Sequence, residues 1–290
     1  MPELPEVETI ARGLAKRVTG EVVESVWLGQ KREPLKSPAH EIAATLEHGR
    51  IAAVRRMGKH IVFEIERNGA APPPSQARRA RSPKVGERAR TNLNAQWIVH
   101  LGMTGRLQVC EPQAEIEKHT HAILRLSSGR ELRFVDPRRF GRLSVTQAFD
   151  AGGVEPLEID LDRFVNLFRG RKTPIKSALL NQKLLRGVGN IYADESLFRT
   201  GLRPRRRAST ITREQLGKLF SAVREVLQEA IALGGSSISD YVDADGEQGF
   251  FQLQHRVYGR EGEPCLVCKT PIKRIVIAGR SSHYCPRCQR

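Results

Sequence analysis

Two Cys-x2-Cys pairs lie near the end of the sequence, Cys265 with Cys268 and Cys285 with Cys288, separated by 16 residues. Each pair can sit on a tight turn that places two thiolates along one edge of a tetrahedron. The spacer can fold as a hairpin and bring the second pair opposite. Four soft ligands suit a single Zn²⁺, and a filled coordination sphere leaves no open position for catalysis, so the ion is expected to be structural. The work of such a module then lies in what its hairpin presents, and Lys273, Arg274 and Arg280 suit phosphate contacts. The remaining cysteine, Cys110, stands alone. A disulfide framework would spread its cysteines along the chain; this clustering fits a reducing compartment.

At the other end stand Pro2 and Glu3. If Met1 is removed, Pro2 offers a secondary amine, and an α-amino group titrates about two units below a lysine. Such an amine adding to an aldehydic carbon gives an iminium, an electron sink for elimination, with Glu3 placed for proton transfer. Taken alone, Pro2 signifies no more than a start that permits removal of methionine. A third candidate is Arg186-Gly187-Val188-Gly189-Asn190-Ile191-Tyr192-Ala193. Its glycines allow a tight turn, Asn190 can cap the following helix, and the N–H groups of that helix start can bind an anion. A plain helical turn in a core fits this segment equally well.

These groups need elements to hold them. Val7, Ile10, Ala11, Leu14 and Val18 follow the helical period, with Pro5 at the opening turn and Gly20 at the end. Ile61, Phe63 and Ile65 alternate as in a strand, and residues 122–126 and 131–135 flank a hairpin turn. Leu216, Leu219, Phe220, Val223, Leu227 and Ile231 form one apolar stripe, opened by a Thr212/Gln215 capping box. The fold expected is α+β and multidomain. A β-rich domain with an N-terminal helix spans 2–150, a helical domain 151–250, reached through a linker near 150–160, and a small metal module 255–290. Residues 67–95, proline-rich and basic, cannot bury a core and read as a disordered surface insertion.

Composition narrows the class. Hydrophobic residues at 39% and 25 glycines approach the globular norm, which excludes a chain disordered throughout. No run of about 18 apolar residues suggests a membrane span, and the acidic N-terminus is no signal peptide. The chain is expected in the cytosol, associated with the nucleoid. A net charge of +16 points to a polyanion, with nucleic acid first.

Five motifs then converge. Met1-Pro2-Glu3-Leu4-Pro5-Glu6-Val7-Glu8, His100-Leu101-Gly102-Met103-Thr104-Gly105, Asp136-Pro137-Arg138-Arg139-Phe140-Gly141, the Gly187–Ala193 segment and the four cysteines closely resemble bacterial formamidopyrimidine-DNA glycosylases, in family order and along nearly the whole chain. The resemblance implies an N-terminal β-sandwich with flanking helices, a helix–two-turn–helix domain and a zinc ribbon. It implies a monomeric bifunctional enzyme that excises 8-oxoguanine and formamidopyrimidines from damaged double-stranded DNA and cleaves the abasic site by β,δ-elimination. Carried over, Pro2 is the nucleophile and Glu3 its acid/base partner. Lys59 serves phosphate contact and β-elimination, and Arg280 phosphate contact and δ-elimination. Met103, Arg138 and Phe140 fill the hole left by an everted nucleotide, whose extrusion costs a few kcal/mol of lost stacking and pairing. His119, Arg138, Arg171 and Asn190 contact DNA, and Lys176 aligns with a lysine linked to 8-oxoguanine handling. Without the family, Met103 and Phe140 would be placed in the core and Arg138 in a surface ion pair. The insertion at 67–95 is longer than the connection usual before His100. The alternatives are a sister enzyme of the endonuclease VIII type, selective for oxidised pyrimidines, and a non-catalytic zinc-ribbon DNA-binding protein. Leu4 and the following Pro5-Glu6-Val7-Glu8 favour the purine branch, and a binding protein has no use for a free N-terminal proline.

Overall fold

A computed structural model describes residues 1–67, 93–236 and 249–290. The basic insertion expected at 67–95 lies outside these residues apart from its ends, where Arg67 and Leu93 pair as strand neighbours. Helix α1 (Leu4–Val18) has acid at its start and Lys16 and Arg17 in its last turn, as the helix dipole favours. Its periodic face of Val7, Ile10, Ala11, Leu14 and Val18 is fully buried in the core of the first domain. Two antiparallel four-stranded sheets share that core. One runs β1 (Val23–Leu28), β6 (Thr120–Leu126), β7 (Glu131–Val135), β5 (Arg106–Cys110). The other runs β2 (Arg50–Met57), β3 (His60–Arg67), β4 (Leu93–His100), β8 (Arg142–Thr146), and a short helix α2 (Ala39–Leu46) packs against the strands.

The β2–β3 turn is Gly58-Lys59, closed by the Met57/His60 pair, and Gly58 adopts φ +59°. That left-handed position is one glycine takes without strain. It leaves Lys59 at the tip of a hairpin whose strands are locked in a sheet.

The second core is helical. It gathers α3 (Leu161–Phe168), α4 (Ile175–Leu179), α5 (Asn190–Arg199) and α6 (Arg213–Ala232), and it also takes Leu4 from α1. Thr212 Oγ1 accepts from Gln215 N while Gln215 Oε1 accepts from Thr212 N, so α6 opens with the expected capping box. The 150–160 stretch is more than a connector. Val154 bridges to Leu185, and the carboxylate of Glu155 is buried. The last module is a hairpin of β9 (Lys273–Ile277) and β10 (Arg280–Tyr284), with Cys265, Cys285 and Ile272 packed on Phe198 and Val257. Among the described residues, no helix is long and apolar enough to cross a membrane.

Candidate active site

The glycine-rich turn receives the N-terminus. Leu4 N donates to Gly187 O at 3.0 Å. Gly187 has φ +90°, and a Cβ there would stand 2.8 Å from the Leu4 side chain; a Cβ on Gly189 would stand 2.1 Å from the Glu3 carboxyl carbon. Both glycines are therefore required by close approach of residues 3 and 4. The N-terminus of α5 does meet an acidic group, and that group is internal: Ile191 N donates to the Glu3 carboxyl at Oε1, 3.3 Å away. Asn190 is not the cap expected from the sequence. Gly189 occupies that position, and the Asn190 amide instead donates to Ser281 Oγ at 3.2 Å.

Glu3, Lys59, Asn190 and Arg280 line one cavity of about 660 Å³, with Met1 and Pro2 at its edge. Burial lifts the Glu3 pKa to about 7, against the opposing pull of Lys59 and the Ile191 N–H. Its second oxygen, Oε2, is buried without a hydrogen-bond partner among the described residues. Burial also depresses Lys59; the nearby Glu3 and Glu6 favour its cation and Arg280 opposes it. A carboxyl poised near neutrality beside an amine easier to deprotonate than a surface lysine suits proton transfer at neutral pH.

The surrounding groups fix these two. Glu6 accepts from Glu3 N (2.7 Å), from Ser236 N (2.8 Å) and from the Tyr192 hydroxyl. Glu155 Oε1 accepts from Gly58 N (2.8 Å), Arg56 Nη1 (2.8 Å) and Arg186 Nε (3.0 Å), and Arg56 Nε reaches Glu8 at 2.7 Å. The turn that carries Lys59 is thus tied to the helical domain by a buried cluster.

Two further loops stand beside the cavity. Met103 and Phe140 are 41% and 51% exposed, which overturns the core placement they would receive on composition alone. The Arg138 guanidinium lies 4.8 Å from the Phe140 ring centre, and Arg138 appears in no ion pair among the described residues. The loops meet backbone to backbone, since a Cβ on Gly102 would fall 2.5 Å from the Phe140 carbonyl carbon. Fully buried Asp136 joins them, accepting from Thr104 Oγ1 (2.6 Å), Gly141 N (2.7 Å) and Arg138 N (3.2 Å). His100 Nδ1 accepts from Gly102 N at 3.0 Å, and burial pushes the imidazole down to about 4, so it is neutral at physiological pH.

In the cysteine module the four Sγ atoms lie within 4.8 Å of one another, with Cys265 and Cys288 at 3.9 Å and Cys268 and Cys285 at 3.4 Å. Tetrahedral Zn²⁺ with bonds of about 2.3 Å needs sulfur–sulfur edges of about 3.8 Å, so the donors fit one structural zinc. β10 is fastened to the helical domain from below. Lys176 Nζ lies 2.7 Å from Asp194 Oδ1 and donates to Ser281 O at 2.6 Å, while Asp194 Oδ2 accepts from His283 N at 2.9 Å. Lys176 is fully buried beneath β10 and is not among the residues that line the cavity.

Of the sequence candidates, Pro2, Glu3, Lys59, Met103, Asn190 and Arg280 line one cavity. Arg138 and Phe140 stand on the adjoining loop, and His119, whose carbonyl accepts from Asp136 N, is exposed beside it. Arg171 is exposed just past α3, away from the cavity lining. Sequence reasoning gave no role to Tyr258, Glu6, His100 or Glu155. The first three line the cavity. His100 and Glu6 sat inside quoted motifs; Tyr258 and Glu155 carried no local signal.

Comparison with known proteins accounts for this arrangement. A family model described as the formamidopyrimidine-DNA glycosylase N-terminal domain matches residues 1–143, the H2TH domain of the same proteins matches 153–242, and a zinc finger found in FPG and IleRS matches 262–290. A formamidopyrimidine-DNA glycosylase of Solibacter usitatus is 45% identical, covering both chains completely. The Lactococcus lactis enzyme has been solved with DNA containing an abasic site (30% identity, TM-score 0.83, 99% of each chain). A mutant of it has been solved with DNA containing Fapy-dG (30% identity, TM-score 0.84, 100% of each chain). Matched in three consecutive domains and at full length, the chain belongs to the formamidopyrimidine-DNA glycosylase family.

Proposed function

We propose that the protein removes oxidised purines from damaged duplex DNA and then cleaves the abasic site, with Pro2 as nucleophile and Glu3 as its acid/base partner. The observation that carries this reading is the Glu3 carboxyl, buried next to Pro2, protonatable near pH 7 and with one oxygen free of partners among the described residues. Met1 is half exposed at the cavity edge, and its removal frees the Pro2 nitrogen. That nitrogen attacks C1′ of an everted nucleotide. The bond from C1′ to the base breaks with its electron pair leaving on the base, and the Glu3 proton offsets the charge that develops. Glu3 then takes the proton of the Pro2 nitrogen and passes it to O4′ as the C1′–O4′ bond breaks with its electron pair on oxygen. This leaves an iminium between Pro2 and C1′. It draws electrons as a proton leaves C2′ and the bond to the 3′ phosphate breaks; a second elimination releases the 5′ phosphate.

Lys59 and Arg280 border the same cavity, where their cations meet the phosphates and assist the two eliminations. Asn190 joins them, and His119 and Arg171 hold the duplex farther out. Met103, Arg138 and Phe140 occupy the gap in the stack, where apolar side chains restore lost contact and an arginine can bond the orphaned base. The zinc fixes the hairpin that presents Arg280; a ribbon this small owes most of its folding free energy to the metal. One copy supplies every group named, so the enzyme acts as a monomer on chromosomal DNA. Incubation with a duplex carrying 8-oxoguanine opposite cytosine tests the reading. Base release with a one-nucleotide gap bearing phosphate at both ends is expected. Release of oxidised pyrimidines alone would assign the sister activity instead.

A further inference from the structure

Three backbone segments far apart in sequence are stitched together behind β10. Ser209 N donates to Arg171 O and Ala208 N to Thr173 O, Pro174 bridges to Arg207, Arg203 N donates to Arg290 O, and Arg290 N to Gly201 O. Residues 169–176, 200–212 and 284–290 contain no acid. Arg169, Arg171, Lys172, Arg203, Arg205, Arg207, Arg287 and Arg290 are all exposed on them, and none forms an ion pair among the described residues. Most exposed arginines of the sheet domain are treated differently: Arg50, Arg55 and Arg139 each meet a glutamate. A solvated basic face whose own segments carry no Asp or Glu is self-repulsive, and a polyanion relieves that repulsion.

We propose that this face is a second DNA-contact surface, which extends the track from the catalytic cavity onto the phosphate backbone of one flanking arm. The inference rests on the glycosylase reading given above. Its position follows from β10. Arg280 lines the cavity at one end of that strand, and Tyr284, at the other end, lies under the Arg203 guanidinium at 5.7 Å. Four residues of strand at about 3.3 Å each span about 13 Å, which is about four base pairs of duplex at 3.4 Å each. The proposal lays β10 along the duplex axis, so that the surface meets phosphates from about four base pairs outward on one side of the lesion and leaves the other side alone. Arg205, Arg207 and Arg287 make no side-chain hydrogen bonds within the described chain, so they are free to serve it.

The test uses the whole zinc-loaded protein and three 25-base-pair duplexes bearing a tetrahydrofuran abasic-site analogue, which is bound but not processed. The analogue sits at the centre, three pairs from one end, or three pairs from the other. The variant Arg205→Ala/Arg207→Ala/Arg287→Ala should lower the slope of log K against log salt by about 2 to 3 on the central duplex and on one end-placed duplex. On the duplex whose contacted arm is trimmed, the slopes of variant and parent should agree. The corresponding triple lysine variant should restore the parental slope. An equal drop on all three duplexes would place these arginines in the catalytic cleft, and no drop on any would leave them a solvated face; either result overturns the proposal. Because an unprocessed analogue is used, a failure to excise 8-oxoguanine would strike the functional reading and leave this measurement intact.

Discussion

Lys176 with Asp194 and Lys59 with Glu3 are two buried lysine–carboxylate couples in one region of the molecule. In the first, the charges touch at 2.7 Å, and Ser281 O and His283 N take up further positions on the two groups. In the second, no salt bridge forms among the described residues, and Glu3 Oε2 is left without a partner. Burial depresses both lysines, but only Lys176 has a carboxylate in contact to compensate. Desolvating charge costs several kcal/mol per ion unless partners replace the water. The couple in ionic contact repays part of that cost and serves as a fastening. The couple without contact keeps a proton-accepting site open where substrate chemistry would use it. The cleft loops repeat the division: Asp136 is saturated and buried, while the side chains it supports are exposed.

Breaking the open couple should cost the most activity. Glu3→Gln is expected to slow base release by about 10²- to 10⁴-fold, the usual share of acid catalysis, while a preformed abasic site is cleaved with a smaller loss. With its pKa raised to about 7, Glu3 stays protonated below that pH and ionises above it. Single-turnover base release should therefore decline as pH rises through about 7, and the glutamine variant should lose that limb. A parental profile flat from pH 6 to 8 would remove Glu3 as the acid.

The closed couple should fail differently. Lys176→Met strands Asp194 and should destabilise the protein by about 3 to 5 kcal/mol, read by denaturant unfolding, whereas Lys176→Met with Asp194→Leu should recover much of it. If the single variant instead keeps its stability and loses only 8-oxoguanine excision, Lys176 belongs with the lesion and the comparison collapses. Asp136→Asn sharpens the same contrast at smaller scale. Weakening charge-assisted bonds worth about 1.5–3 kcal/mol each should slow excision from duplex by about ten- to a hundredfold. Cleavage of a single-stranded abasic oligonucleotide, which needs no filled stack, should hold within about twofold.

Much of this arrangement was legible in the sequence wherever a local pattern dictates the outcome. The cysteine spacing, the amphipathic α1 and the Thr212 capping box are each decided within a few residues. The contacts that tune the site were not. Glu155 accepts from Gly58 N from 97 positions away, and Tyr258 joins the cavity lining from a segment beyond α6. Asn190 misled because a good capping residue followed a glycine pair; the approach of Glu3 reserved the cap for Gly189. Lys176 drew attention through the family resemblance, and its ion pair with Asp194, 18 positions on, carried no local signal.

Mass spectrometry after borohydride reduction on 8-oxoguanine duplex measures the central claim, that the open couple serves an amine at Pro2. Borohydride converts an iminium to a stable amine, and ordinary lysines are almost wholly protonated near pH 7. The account predicts a sugar remnant on the N-terminal peptide at Pro2, with trapping and base release both lost when Met1 is retained or a tag precedes Pro2. A remnant on Lys59 or any other lysine, or undiminished trapping by the blocked protein, would contradict it.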